Sequence, residues 1–307
     1  MKLLLSHIAD LDGVTPVILL NLLEEEFEYQ LFEVGELSAF IFEKIDSDYF
    51  DKYDTIYITD LGITRECADK IIYSKYIDKF KLFDHHESHY YLNDYDFAIV
   101  TEEHDGYKEC GTTLFYNYLI KQFNNKILKK ESVIYFVELV RENDTWQFTD
   151  LKEESFNLTN LFDFYGRDNF IDIYSKFLKE NKTFYFNKTE LVILKSLNRK
   201  KQEYLESMKD KVIFKEIKCY KIGFVFAELY RSSLGNYLAQ LYYDKVDFIA
   251  IVNLNRHISF RGRKESIPTN KFAEIFGGGG HPLASAMDFP SDLKERIIDY
   301  IYGEECK

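Results

Sequence analysis

The sequence predicts an α/β protein in which a parallel, doubly wound sheet is followed by a smaller α/β domain. Three observations carry this reading. Short apolar runs alternate with helical patterns, and little hairpin chemistry separates them, which is the signature of strands joined by helical crossovers. Several of those runs end abruptly in carboxylates or imidazoles. After a long lysine-rich helical stretch the pattern changes and begins a second alternation. At 307 residues the chain is comfortable as two domains and long enough to bury a sizeable core.

Taken in order, Lys2 to His7 reads as a buried strand, and Asp10-Leu11-Asp12-Gly13 turns the chain into an apolar helix over Val14 to Phe27. Tyr29 to Val34 is the second strand, Leu37 to Ile45 a helix, and Thr55 to Thr59 the third strand, ending in Asp60-Leu61-Gly62. Thr64 caps the next helix, with Glu66 and Asp69 near its positive end. Phe80 to Phe83 is the fourth strand, closing in Asp84-His85-His86, and Phe97 to Val100 the fifth. Gly111 to Phe186 reads as mainly helical, with Thr112 or Thr113 as an N-cap and Glu142 to Trp146 interrupting the pattern.

Lys188 to Met208 forms the connecting helix. The expected division is therefore a first domain over 1–186, a helical linker over 187–211 and a second domain over 212–307. In the latter, Val212 to Ile217, Lys221 to Ala227, Phe248 to Asn253 and Ile258 to Arg261 read as strands, and Ser233 to Tyr243 and Asn270 to Phe276 as helices. The four glycines after Phe276 lie before a small-residue helix start at Pro282. That placement favours a packed backbone approaching a ligand over a flexible linker.

Composition narrows the function. A formal charge of −13 argues against broad binding to long nucleic acid, which rests on neutralising many phosphates, but leaves room for a short phosphorylated substrate. Cys67, Cys110, Cys219 and Cys306 show no CxxC spacing, so reduced thiols are expected, with neither a zinc ribbon nor a disulfide framework. No stretch approaches the roughly 18 apolar residues of a membrane span, and the apolar run at the N-terminus is too short for a signal segment. A cytoplasmic protein with no membrane partner is the expectation.

The strand ends gather His7, Asp10, Asp12, Asp60, Asp84 and His85, with Asp144 supplied by a helical region. Carboxylates and imidazoles without thiolate suit Mn²⁺, Mg²⁺ or Co²⁺ better than structural zinc, and the ligands suffice for two ions. Read singly, Asp10 and Asp12 are turn formers beside Gly13 and Asp60 is a helix-start residue, whereas Asp144 reads as a ligand in preference to an exposed acid. His89 and His104 match no motif and read as surface residues. In the second domain Arg256, His257, Arg261, Arg263 and Lys264 form the densest basic cluster; Arg256 and Lys264 read as a solvated strand edge.

Together, Ser6-His7 to Asp12-Gly13, Thr59-Asp60-Leu61-Gly62, Asp84-His85-His86 and Asn143-Asp144-Thr145-Trp146 resemble the four N-terminal motifs of the DHH phosphoesterase superfamily. The run from Phe276 through Gly277, Gly278, Gly279, Gly280 and His281 to Ala286 resembles the glycine-rich signature of that family's DHHA1 substrate domain. The resemblance implies one ion held by His7, Asp10 and Asp60 and a second by Asp12, Asp60, His85 and Asp144, with Asp60 as the bridge. It further implies that Asp84 accepts a ring N–H from a site histidine and that His86 donates to the scissile phosphate. Arg261 matches a phosphate-binding arginine, Arg231 is a weaker candidate of the same kind, and Gly278, Gly279, Gly280 and His281 face the substrate. Many family members place one more residue between the first histidine and the first aspartate than stands here.

The resemblance thereby implies a two-metal phosphodiesterase with its active site in a cleft between the domains. The chain is most similar to the oligoribonuclease or nano-RNase branch, which degrades very short RNAs, with Mn²⁺ as the expected ion; the sequence leaves the oligomeric state open, a homodimer included. The rival enzymes are a cyclic-dinucleotide or 3'-phosphoadenosine 5'-phosphate phosphoesterase, a pyrophosphatase and a processive single-strand DNA exonuclease. A non-catalytic nucleotide-binding module is the rival from another class.

Overall fold

The computed structural model describes residues 1–255, 257–290 and 292–303. Arg256 and Cys306 lie outside the described residues. The chain divides into two compact units, Met1–Leu194 and Lys195–Lys307, and the boundary falls inside the long lysine-rich helix.

The first unit contains β1 (Lys2–His7), α1 (Leu11–Leu23), β2 (Phe27–Phe32), α2 (Glu36–Lys44), β3 (Thr55–Thr59), α3 (Arg65–Ile72), β4 (Phe80–Asp84) and β5 (Ala98–Val100). A two-residue-per-strand hairpin follows, β6 (Glu103–His104) and β7 (Tyr107–Lys108). Then come the helices α4 (Gly111–Gln122), α5 (Glu131–Thr145), α6 (Lys152–Tyr165), α7 (Arg167–Glu180) and the start of α8 (Lys188–Met208).

The five main strands form one parallel sheet in the order β2-β1-β3-β4-β5. Alternation along the strands covers both faces. Leu3, Leu5, Ile56, Ile58 and Leu82 pack toward α2 and α3, whereas Leu4, Tyr57 and Phe83 join the core built by α1 and the helices after β7. Because the chain winds first to one side of β1 and then to the other, the order reverses between β1 and β3. That switch point is where an open α/β sheet leaves a crevice at the carboxyl ends of its strands.

Several boundaries differ from the sequence expectation for local reasons. The first helix stops at Leu23 rather than Phe27, because Glu24 turns left-handed (φ 58°) and Phe27 is drawn into β2 opposite Lys2. Cys110, not Thr112 or Thr113, occupies the N-cap of α4; the Thr113 hydroxyl instead accepts from the Cys110 N–H at 3.0 Å. Thr112 has another task. Pro16 inside α1 has no N–H for the Asp12 carbonyl, and the Thr112 hydroxyl donates to it at 2.9 Å. Glu142 to Thr145 do not interrupt a helix; they form its last turn, and Trp146 ends it.

The second unit holds β8 (Ile213–Ile217), β9 (Tyr220–Phe226), α9 (Arg231–Leu241), β10 (Phe248–Val252), β11 (His257–Gly262), α10 (Thr269–Ile275), β12 (Gly279–His281), β13 (Ala284–Asp288) and α11 (Leu293–Tyr302). Its six strands run β12-β13-β11-β10-β9-β8, antiparallel except for β9 beside β10. The helix expected to start at Pro282 is absent: Pro282 and Leu283 connect the hairpin β12–β13. A third helix, α11, has no counterpart in the sequence expectation. Among the described residues, no helix is long and apolar enough to cross a membrane.

Candidate metal centre

The ends of β1, β3 and β4 meet the first turns of α1 and α4 beside the switch point. Ser6, fully buried, ties this junction together. Its hydroxyl donates to the Gly13 carbonyl at 2.6 Å and accepts from the Thr59 hydroxyl at 2.7 Å. Gly13 is required where α1 passes the end of β1, since a Cβ there would stand 2.2 Å from the His7 carbonyl oxygen.

Asp10 caps α1 by accepting the Gly13 N–H at 3.0 Å, which leaves its other oxygen 3.1 Å from His7 Nδ1. Asp12, in the first turn of α1, accepts the N–H groups of Gly111 and Thr112 at 2.7 Å each. The positive end of α4 therefore holds a carboxylate that water does not reach. Asp60 follows β3 with φ 55°, a left-handed turn that brings its carboxylate back over the strand ends. One oxygen lies 3.4 Å from His7 Nδ1 and the other 3.5 Å from His85 Nε2. His85 Nε2 is also 3.4 Å from Asp144 Oδ2, which projects from the last turn of α5, and 3.8 Å from Asp12 Oδ2.

Among the described residues three overlapping ligand groups result, His7, Asp10 and Asp60 on one side, Asp12, His85 and Asp144 on the other, and Asp60, Asp84, His85 and His86 beside them, with Asp60 between His7 and His85. Their electrostatics are unbalanced. Burial first, then the nearby Asp12, lifts Asp60 well above the usual carboxylate range, and the same causes push Asp144 up to about 8. Asp10 is held low, because the His7 ring and the Gly13 N–H outweigh its own burial. His7 is raised to about 10 by Asp10 and then Asp60.

Among the described residues, five buried side-chain atoms lack a hydrogen-bond partner, and Asp60 Oδ2, His85 Nε2 and Asp144 Oδ2 are three of them. Buried polar atoms are normally paired, so three orphans aimed into one acidic cluster fit divalent cations. Oxygen and imidazole donors without sulfur suit Mn²⁺ or Mg²⁺.

Asp84 is fully buried and does not face the first two of these groups with a free oxygen. Its Oδ1 lies 2.7 Å from His86 Nδ1 and accepts the His85 backbone N–H at 2.9 Å, and its Oδ2 lies 2.5 Å from His89 Nδ1. An ionised carboxylate only accepts, so both Nδ1 atoms carry the proton. These bonds outweigh burial and keep Asp84 below the ordinary carboxylate range, and they raise His86. His86 remains half-exposed, with its second nitrogen available.

His89 is therefore not the surface residue that its lack of a motif suggests. It folds back through a 3₁₀ turn, Glu87–Asp94, and its ring fills the space beside Gly62, where a Cβ would lie 2.4 Å from it. The spacing of Glu87-Ser88-His89 gives no signal of that return. His104, by contrast, is exposed.

In the second unit Arg261 donates to the Ser232 hydroxyl at 3.0 Å and to the Phe260 carbonyl at 2.9 Å, while Arg231 Nη1 lies 3.1 Å from His257 Nε2. Burial, then the adjacent Arg231 charge, lowers the Arg261 pKa, so two guanidinium groups share one locality that favours an anion. Lys264 is not a solvated strand edge; it donates to the Val246 carbonyl at 2.8 Å and pairs with Asp247.

The glycine run divides by role. Gly278 and Gly280 are packed against the chain's own hairpin partner: Cβ atoms there would lie 2.2 Å from the Ala286 carbonyl and 2.8 Å from the Ala284 carbonyl. Gly279 and His281 are exposed, and a Cβ at Gly279 would meet open space.

No protein-family model matches the sequence. Oligoribonuclease NrnB of Bacillus subtilis (strain 168) is 30% identical over 308 residues, an alignment covering 96% of this chain and 74% of that protein. Among solved structures, the DHH domain of a member of a ribosomal-protein family matches with a TM-score of 0.60 at 12% identity, over 97% of this chain and 84% of that one. A pGpG-specific phosphodiesterase from Vibrio cholerae matches with a TM-score of 0.54 at 14% identity, over 98% of this chain and 97% of that one. These two structures share the fold.

Proposed function

This chain belongs to the DHH phosphoesterase family, and from that premise we propose that it is a metal-dependent hydrolase of short oligonucleotides. The observation that carries the reading is the convergence of six ligand-type side chains at the sheet's switch point with three of their buried atoms lacking a hydrogen-bond partner. The name of the Bacillus subtilis relative supports the substrate class, and the net charge of −13 supports short over long polyanions.

On this reading His7, Asp10 and Asp60 hold one divalent ion, and Asp12, Asp60, His85 and Asp144 hold the other, with Mn²⁺ the expected metal and Mg²⁺ or Co²⁺ as alternatives. Such ions, when bound, supply a nucleophile at neutral pH and neutralise phosphate charge. The protein's own contribution is orientation. The α4 N-terminus fixes Asp12 through two N–H bonds, and the backbone turn at Asp60 sets that carboxylate between the two histidines. Asp84 orients the His86 ring through Nδ1–H and favours its protonated form, so the imidazolium donates its Nε2–H to a phosphoryl oxygen as charge develops there. Arg261, Arg231 and His281 bind the substrate's phosphate or base, with Gly279 allowing close approach.

Hydrolysis by purified protein with Mn²⁺ tests this across 5'-phosphorylated RNA dinucleotide, longer RNA, 3'-phosphoadenosine 5'-phosphate, cyclic dinucleotide and pyrophosphate, with His85→Ala alongside. The expected result is fastest cleavage of the dinucleotide, lost in the variant. Equal activity in the variant, or no cleavage of any compound, rejects the reading.

A further inference from the structure

Trp146 is the chain's one tryptophan and stands two residues beyond Asp144, at the end of α5. Its backbone is left-handed, with φ 54°, a conformation that bulky residues rarely adopt and that clusters at functional sites. Its side chain is 63% exposed. Yet the ring is supported: its centroid is 5.7 Å from that of Phe148 and 6.0 Å from that of Phe156, both steeply inclined, and the two phenylalanines contact each other at 5.1 Å. The loop itself is pinned, because Gln147 Oε1 accepts from the Lys108 N–H at 3.0 Å and from Arg141 at 3.1 Å. Lys152 Nζ sits 5.1 Å over the Phe148 ring and adds a positive charge beside the aromatic group.

We propose that Trp146 is a stacking platform for a nucleobase of the substrate, placed so that the neighbouring phosphate reaches the Asp144 acid cluster. This rests on the reading of the chain as an oligonucleotide hydrolase. Two peptide units separate Trp146 from Asp144, so their Cα atoms are at most about 7.6 Å apart. An exposed indole held rigidly at that distance offers a π-face that any base can use, and the adjacent lysine suits the backbone phosphate. The platform recognises bases without reading their sequence.

As the single tryptophan, the residue reports its own occupancy. Titrating the full chain with 5'-AMP in Mn²⁺ should give saturable quenching of tryptophan emission, whereas ribose 5-phosphate should leave emission unchanged. Trp146→Ala should raise KM for the RNA dinucleotide about five- to a hundredfold. Its kcat should stay within about threefold, because the lost contact is made equally in ground and transition states. Trp146→Phe should recover most of the loss.

If wild type and Trp146→Ala hydrolyse the dinucleotide with the same KM and 5'-AMP causes no quenching, the platform falls while the hydrolase reading stands. If wild type hydrolyses nothing, the hydrolase reading fails, and the AMP titration alone decides whether the indole binds a base. Loss of self-association in Trp146→Ala with KM unchanged would instead mark an interface between copies of the chain and overturn the proposal.

Discussion

The first unit's acid cluster and the second unit's glycine-rich hairpin both match motifs of one family, yet their physical states differ. At the carboxyl ends of β1, β3 and β4, Asp60 Oδ2, Asp144 Oδ2 and His85 Nε2 are buried with no hydrogen-bond partner, and burial, then the Asp12 charge, raises the pKa of Asp60 and Asp144. In the hairpin, Gly278 and Gly280 lie against the Ala286 and Ala284 carbonyls, while Arg261 is bonded to Ser232 and Phe260. The first region leaves buried polar atoms without hydrogen-bond partners. The second is complete as a fold and offers only its exposed surface to a ligand. One motif thus encodes an electrostatic imbalance, and the other encodes a tight backbone crossing.

The largest test of that contrast is Asp60→Asn. It removes the carboxylate between His7 and His85 and should reduce Mn²⁺-dependent hydrolysis by more than the roughly 10- to 100-fold that loss of an outer partner costs. Circular dichroism should be unchanged. A variant retaining half the wild-type rate would place the metals elsewhere.

His89→Ala comes next. Removing one of the two imidazoles on Asp84 should cost roughly 10- to 100-fold in kcat, with His89→Gln recovering part of it, since the amide N–H can replace Nδ1–H. Wild-type kinetics in the alanine variant would return His89 to a merely packed residue.

Asp144→Asn should separate stability from function. Asp144 titrates near 8 in the folded protein. A carboxylate whose folded pKa exceeds its unfolded one contributes stability below about pH 4 that is lost as pH rises toward that folded value. Without metal, therefore, Asp144→Asn should be more stable than wild type at pH 8, by about 1–3 kcal/mol, with the difference vanishing near pH 4. Added Mn²⁺ should reverse the order. Thermal melts at the two pH values check this, and a less stable metal-free variant at pH 8 would contradict it.

The hairpin predicts the opposite kind of response. Gly278→Ala must displace the Ala286 carbonyl and should destabilise by about 1–3 kcal/mol, whereas Gly279→Ala enters open space and should stay within about 0.5 kcal/mol. Equal denaturation midpoints for the two would reject the packed hairpin. Smallest of all, Arg261→Lys should raise KM for the dinucleotide about fivefold through loss of bidentate geometry, with bound Mn²⁺ unchanged.

Much of the first unit was legible in the chain because strand ends announce themselves. An apolar run that stops at Asp-His-His, or at Thr-Asp-Leu-Gly, fixes both the strand and the end at which its polar residues gather. The parallel, doubly wound class followed from alternation, whereas the strand order β2-β1-β3-β4-β5 is set by pairing that alternation does not state. Contacts that depend on chain return were not legible. His89 reaches Asp84 through a 3₁₀ turn, Thr112 serves a carbonyl on a helix about a hundred residues earlier, and neither has a local period. The Pro282 helix failed for a related reason: small residues after glycine permit a helix start, but β11 offered Ala284 to Asp288 an edge to pair with, and that long-range ladder decided the conformation.

Completion of the acid cluster by divalent cations can be measured without reference to any substrate, by calorimetric titration of the full, metal-stripped chain with Mn²⁺ beside Asp60→Asn. The expected result is two ions per wild-type chain with proton release on binding, and loss of at least one ion in the variant. Absence of binding to the wild type, or an identical isotherm for Asp60→Asn, would contradict it.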